Sequence, residues 1–80
     1  MELYIAREAV NANPTKKITL EEIEKRVQND ERFFYLDREN EHKTLNELLE
    51  YFENKGYTPH LQEVRYALGD LDYIYELHIV

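Results

Sequence analysis

The chain contains no cysteine and no tryptophan, and it has only two glycines and two prolines among its 80 residues. Without cysteine it can form no disulfide, and a zinc site built on thiolates is excluded. No apolar run approaches the roughly 20 residues that a membrane-spanning helix needs. The N-terminal apolar stretch lacks the basic segment of a signal peptide, and Arg7 and Glu8 interrupt it. We therefore expect a small protein that works in the cytoplasm.

Basic residues are also scarce, since 10 Lys and Arg face 17 Asp and Glu and the formal net charge is −7. The imbalance lies mainly in residues 45–80, whose only bases are Lys55 and Arg65. Proteins that bind nucleic-acid backbones gain most of their affinity by neutralising phosphates with Lys and Arg. Direct nucleic-acid binding is therefore not expected. The negative charge either keeps a small protein in solution or matches a basic partner.

Eighty residues predict a single domain, residues 1–80, and the sequence suggests an internal duplication within this domain. Shifted by about 41 positions, residues 20–23 (Leu-Glu-Glu-Ile) fall on residues 61–64 (Leu-Gln-Glu-Val). Aromatic and apolar residues at 33–36 then fall on similar residues at 74–77. This pattern predicts two helix-helix-strand units, at about residues 2–37 and 44–79.

Local patterns place four helices and two strands in these units. Apolar spacing predicts a first helix over residues 2–12. Thr19, with Glu22 three positions later, predicts the capped start of a second helix. A third helix is predicted from Thr44 to Gly56, and a fourth from Pro59 to Gly69. Residues 37–43 carry no apolar side chain and are expected to form a solvated linker.

The fold class that follows is α+β and helix-rich, with a two-stranded antiparallel sheet made by residues 32–37 and 73–79. We expect one face of this sheet to pack on the helices through Phe34, Leu36, Tyr75 and Leu77. Alternation along each strand then puts five side chains on the opposite face. These are Phe33, Tyr35, Ile74, Glu76 and His78.

Exposed tyrosines and carboxylates are the strongest candidates for function. Seven tyrosines in a short chain suggest an interface, because tyrosine combines apolar area with a hydroxyl group. Carboxylates among them could imitate nucleic-acid phosphates on a basic protein surface. The plainer alternatives are a thin core that recruits large side chains and a solvated acidic face. The predicted partner-binding residues are Phe33, Tyr35, Glu63, Asp70, Asp72, Ile74, Glu76 and His78.

One stretch resembles a known family. Residues 56–59 read Gly-Tyr-Thr-Pro, residues 63–64 read Glu-Val and residues 67–69 read Ala-Leu-Gly. Residues 48–69 thereby resemble the first helices of the winged-helix domain in LexA-type repressors, which implies a DNA-binding transcriptional regulator. The family's recognition helix should follow Gly69, but the remaining residues have the composition of a strand.

Catalytic and metal-binding patterns are weak. His42, His60 and His78 lie far apart in sequence, and no glycine-rich phosphate loop is present. Residues 37–41 alternate acids as a calcium loop does, but the central glycine is missing. We expect no catalysis, no cofactor and no metal. The leading hypothesis is an acidic interaction module, an inhibitor or adaptor that docks on a basic protein surface. The alternatives are a DNA-binding regulator and a structural protein that self-associates through a strand edge, as in a homodimer.

Overall fold

The computed structural model describes residues 1–8, 12–66, 69 and 72–80 of the chain. Within this described part the protein has two helices and five strands. In chain order they are β1 (Glu2–Tyr4), β2 (Lys17–Thr19), α1 (Leu20–Gln28), β3 (Phe33–Asp37), α2 (His42–Asn54), β4 (Pro59–Arg65) and β5 (Tyr73–Ile79).

The main sheet has three strands in the order β3-β5-β4, and both pairs are antiparallel. β5 is the central strand, and its alternate residues Tyr75, Leu77 and Ile79 are buried. Leu77, for example, lies opposite Phe34 of β3 and Leu61 of β4. The antiparallel pairing of the two predicted strands is therefore present, but within a larger sheet.

β1 and β2 form a separate two-stranded sheet in which Leu3 lies opposite Ile18. Both side chains are buried, so this small sheet also contributes to the core. A single bridge between Ile5 and Leu36 connects the end of β1 to β3. The N-terminal segment is thereby held against the outer edge of β3.

The start of α1 and the end of α2 follow local chemistry. The Thr19 hydroxyl accepts a 3.2 Å hydrogen bond from the Glu22 amide at the start of α1, as the capping motif predicts. Gly56, with φ +92°, ends α2, and the amide of Tyr57 donates to the Phe52 carbonyl at 3.0 Å. This bond is the signature of a glycine-terminated helix. No helix in the described ranges is both long enough and apolar enough to cross a membrane.

The core lies between the two helices, the small sheet and one face of the main sheet. Among the described residues, twelve buried apolar side chains form it: Leu3, Ile18, Ile23, Val27, Phe34, Leu36, Leu45, Leu48, Phe52, Tyr75, Leu77 and Ile79. Burial of apolar area is the main stabilising contribution in a protein of this kind. Both helices present one apolar stripe to this core, so neither covers the other face of the main sheet.

The predicted helix-rich duplication is wrong. Residues 2–4 form β1, and residues 59–65 form β4 where the fourth helix was expected. In the proposed repeat, residues 20–23 of a helix would match residues 61–64 of a strand, so the two units are not equivalent. Tertiary pairing overrides helical spacing here, because β4 pairs with the backbone N–H and C=O groups along the second edge of β5. Parts of both predicted helices, residues 9–11 and 67–68, lie outside the described part.

The predicted solvated linker at residues 37–43 is also wrong. Asp37 and Asn40 are buried, with 0% and 7% of their surface exposed, and α2 already begins at His42. The charged sequence predicts exposure to solvent, but Asp37 and Asn40 are buried against polar partners.

Candidate interaction surface

One face of the main sheet points away from both helices, and we call it the outer sheet face. Side chains alternate along a strand, so the residues between the buried ones project to this side. The register places nine residues on this side: Phe33, Tyr35 and Asp37 from β3, Ile74, Glu76 and His78 from β5, and His60, Gln62 and Val64 from β4. Asp37 is fully buried, and five of the other eight are the residues predicted for the outer face.

A row of rings crosses one end of the outer sheet face. Phe33, His78 and His60 lie side by side on the three strands. The rings of Phe33 and His78 stack with centroids 4.2 Å apart and an interplanar angle of 10°. The rings of His78 and His60 are 6.1 Å apart. Phe33 and its neighbour Tyr35 are each 48% exposed, so large aromatic surfaces face solvent.

The centre of the outer sheet face carries one of the four predicted acids. Glu76 lies between Tyr35 and Gln62 in the register, and the Gln62 Nε2 donates to its Oε1 at 2.9 Å. This contact orients the carboxylate beside the exposed Tyr35. Ile74, one position further along, is half-buried and adds apolar area to the same face.

Of the other predicted acids, Glu63 is not on this face. Glu63 lies opposite Tyr75 and therefore on the helix side of the sheet. Burial, a hydrogen bond with Tyr73 and the nearby charges of Tyr73 and Glu63 raise the pKa of Tyr75 to about 12. Asp72 precedes β5 and accepts a 2.9 Å hydrogen bond from the Gly69 amide. Asp70 lies outside the described residues. Glu63 and Glu76, which the sequence suggested would act together, therefore lie on opposite sides of the sheet.

A buried polar cluster borders the outer sheet face at the end of β3. We call it the Asp37 hub, and it consists of Arg7, Asp37, Glu39 and Asn40. The Asp37 carboxylate accepts from Arg7 Nε at 2.9 Å and Nη2 at 2.8 Å, in the paired geometry that guanidinium and carboxylate favour. It also accepts from the backbone amides of Arg7 and Glu39, each at 3.0 Å.

The environment of the Asp37 hub keeps Asp37 and Arg7 in their charged forms. Burial alone would raise the pKa of Asp37, but hydrogen bonds from Arg7 and from two backbone amides, with the Arg7 charge, lower it below 3.8. The hydrogen bond to Asp37 raises the pKa of Arg7 above its usual value. The Arg7 side chain is only 6% exposed, so the pair is an internal ion pair.

Asn40 ties the hub to β1. Its Oδ1 accepts from the Tyr4 amide at 2.8 Å, and its Nδ2 donates to the carbonyls of Tyr4 and Asp37, each at 2.9 Å. Every buried side-chain polar atom in the described part has a partner. The hub is therefore a complete network, and within the described ranges no group of three potential ligands gathers to hold a metal ion.

A shallow groove of about 190 Å³ runs beside the outer edge of β3. Ile5 and Ile18 line it on one side, Arg26 and Glu31 lie at the end of α1, and residues 33–36 form the other wall. Arg26 and Glu31 approach each other to 3.9 Å. The groove is mainly apolar and opens next to the exposed rings of β3.

Comparison with known protein families shows that the family model HP0268 matches residues 1–80, the whole chain. The chain belongs to the HP0268 family. No curated protein and no solved structure matches it. HP0268 membership replaces the suggested resemblance to LexA-type repressors, which was wrong. The second helix of that winged-helix motif would need residues 59–68 to be helical, whereas residues 59–65 are β4.

Sequence reasoning missed Arg7, Asp37 and Asn40 of the hub and His60, Gln62 and Val64 of the outer sheet face. The last three were missed because β4 was predicted as a helix. The burial of β4 alternates at its start, and Pro59 opens a strand as readily as a helix, so an alternating pattern over residues 59–62 was the available signal. For the hub, the signal was a polar segment that contains Asp37 and Asn40 directly after an apolar strand.

Proposed function

We propose that this chain is a protein-interaction module that docks on a partner protein through its outer sheet face. The observation that carries the proposal is the exposure of Phe33 and Tyr35, at 48% each, on a face that neither helix covers. Exposed aromatic residues that cluster on one surface are typical of binding sites, because aromatic side chains such as tyrosine often contribute a large share of the binding energy. The stacked Phe33–His78 pair presents this area as a rigid, flat platform.

The charge of the chain supports a basic partner. The net charge is −7, and Glu76 lies in the middle of the exposed rings. Opposite charges on two surfaces speed their encounter and favour the correct orientation, while the rings supply most of the affinity. The module would then act as an inhibitor or adaptor that occupies a basic surface of its partner in the cytoplasm.

The groove beside β3 supports a docking site on the same face. It opens next to Phe33 and Tyr35 and is lined by Ile5 and Ile18. A partner that covers the rings can insert an apolar side chain into this groove. Anchoring side chains of this kind commonly carry a large share of binding energy.

The test compares binding by two matched variants. Tyr35→Ala with Glu76→Ala removes an exposed ring and the central carboxylate from the outer sheet face. The control, Tyr35→Phe with Glu47→Ala, keeps the ring and removes the same charge from an exposed position on α2. Each immobilised chain is incubated with nuclease-treated lysate, and any retained protein is purified and titrated directly by calorimetry.

The proposal expects a protein that the wild-type chain and the control bind with similar affinity. The face variant should bind it at least about tenfold more weakly, a loss of about 1.4 kcal/mol. Circular dichroism checks that all three chains are folded. Equal affinity of the face variant and the control would remove the outer sheet face as the docking site.

A further inference from the structure

β4 is the outermost strand of the main sheet, and no described strand pairs with its second edge. Thr58 and Val80 exchange backbone hydrogen bonds of 2.9 and 3.0 Å, and the Tyr66 amide donates to the Asp72 carbonyl at 3.0 Å. Backbone groups alternate in direction along an antiparallel strand. The even-numbered residues of β4 therefore bond to β5, while Leu61 and Glu63 direct their N–H and C=O groups to the open edge.

The sequence at this edge is complementary to itself. Glu63-Val64-Arg65 becomes Arg-Val-Glu when it is read in the opposite direction. An antiparallel second copy centred on Val64 would place Glu63 of each copy opposite Arg65 of the other. Opposite charges that face each other across two strands stabilise the pairing. Both residues are exposed and on the same side of β4.

Neither neighbouring register gives this match. Centred on Glu63, two copies would bring two carboxylates face to face, which is destabilising. Centred on Gln62, they would place Glu63 opposite Leu61 and form no ion pair. Arg65 also contacts the Gly69 carbonyl at 3.5 Å. A guanidinium has five N–H donors, so Arg65 can bind a carboxylate of the second copy in addition to its contacts within its own chain.

We propose that two copies of this chain pair through their β4 edges, antiparallel and centred on Val64. The two three-stranded sheets then form one six-stranded sheet, and the outer sheet faces of both copies become continuous. This inference is independent of the proposed docking function. It uses the edge of β4, whereas the docking site centres on the rings of β3 and β5.

The absence of native cysteine allows a direct test of the register. In the proposed pair, Val64 faces Val64 of the second copy at a position without backbone bonds, where Cα atoms are about 4.5 Å apart. That separation suits a disulfide. Val64→Cys should therefore form a covalent dimer under mild oxidation. Gln62→Cys, on the same side of the same strand, faces Tyr66 of the second copy and should cross-link at least about tenfold more slowly. Equal rates, or no dimer from Val64→Cys, would overturn the register.

Charge exchange tests the same pairing without a covalent bond. Glu63→Arg alone and Arg65→Glu alone each place like charges opposite each other, so each should weaken dimerisation about tenfold or more in sedimentation. An equimolar mixture of the two, and the double variant, restore complementary charges and should dimerise again. Circular dichroism checks that each variant is folded. A wild-type chain that remains monomeric up to about 1 mM, or a mixture that associates no better than its components, would overturn the proposal.

Discussion

Replacing Asp37 by alanine tests whether the Asp37 hub stabilises the fold. The carboxylate accepts four hydrogen bonds, two from the Arg7 side chain and two from backbone amides, and it is fully buried. Asp37→Ala leaves a guanidinium with 6% exposure and two amides without their acceptor. Removing one partner of a buried ion pair typically costs about 3–5 kcal/mol, because the other charge stays buried.

That loss is large for this chain. At roughly 0.05–0.15 kcal/mol per residue, 80 residues give a free energy of unfolding of about 4–12 kcal/mol. Urea unfolding at pH 7, followed by circular dichroism, measures the change. With a slope near 1 kcal/mol per molar urea, the midpoint should fall by about 3 M or the variant should be unfolded in buffer.

The control for this experiment is Glu39→Ala. Glu39 also contacts Arg7, but at 3.5 Å and with 57% of its side chain exposed. An exposed pair of this kind contributes little, so the expected loss is at most about 0.5 kcal/mol. A loss below about 1 kcal/mol for Asp37→Ala, or equal losses for both variants, would refute the role assigned to the hub.

The hub also predicts how stability depends on pH. The pKa of Asp37 is lower in the folded protein than its ordinary value of 3.8. Its contribution is therefore fully present above about pH 4 and is lost as the pH falls through the folded-state pKa. The difference in unfolding free energy between wild type and Asp37→Ala should shrink between pH 7 and pH 3. A difference that stays constant over this range would show that the carboxylate charge is not the cause.

Two further substitutions test individual contacts. Asn40→Ala removes three hydrogen bonds and should cost about 2 kcal/mol; hydrogen exchange of the Tyr4 amide should accelerate with it, and an unchanged rate would contradict the assignment. Gly56→Ala should lower the free energy of unfolding, measured with urea, by about 1–2 kcal/mol, because φ at this position is +92° and an alanine is strained there. The cost does not come from a steric clash, since no atom lies within 4 Å of the added carbon. Gly56→Asn should cost less, since asparagine tolerates this conformation, and equal costs would point to another cause.

Features set by local chemistry could be predicted from the sequence. The Thr19 cap, the helix end at Gly56 and the strands β3 and β5 are all present. Each depends on residues within a few positions of one another. β4 could not be predicted in this way, because its helical spacing is overridden by pairing with β5. The outer sheet face was therefore predicted on two strands and missed on the third.

The N-terminal segment also shows that a local sequence pattern cannot reveal a partner that is distant along the chain. Alternation over residues 3–7 would turn Arg7 inward with Leu3 and Ile5, and that argued for a helix. In the structure the Arg7 side chain is indeed buried, because the Asp37 carboxylate lies 30 residues further along the chain to receive it. A buried charge is costly only without its partner. Alternation therefore predicts the burial of Arg7 correctly, but the partner that stabilises the buried charge can be identified only from the structure.

The same ion pair decides which rings of β3 are exposed. Residues 33–36 are Phe-Phe-Tyr-Leu, so either face of this strand could be buried on hydrophobic grounds alone. A slip of one residue would exchange the two faces, turning Phe33 and Tyr35 into the core. It would also carry the Asp37 carboxylate to the apolar side, away from its four hydrogen bonds. Because that displacement costs several kcal/mol, the hub fixes the register of β3 and with it the aromatic surface on which docking is proposed.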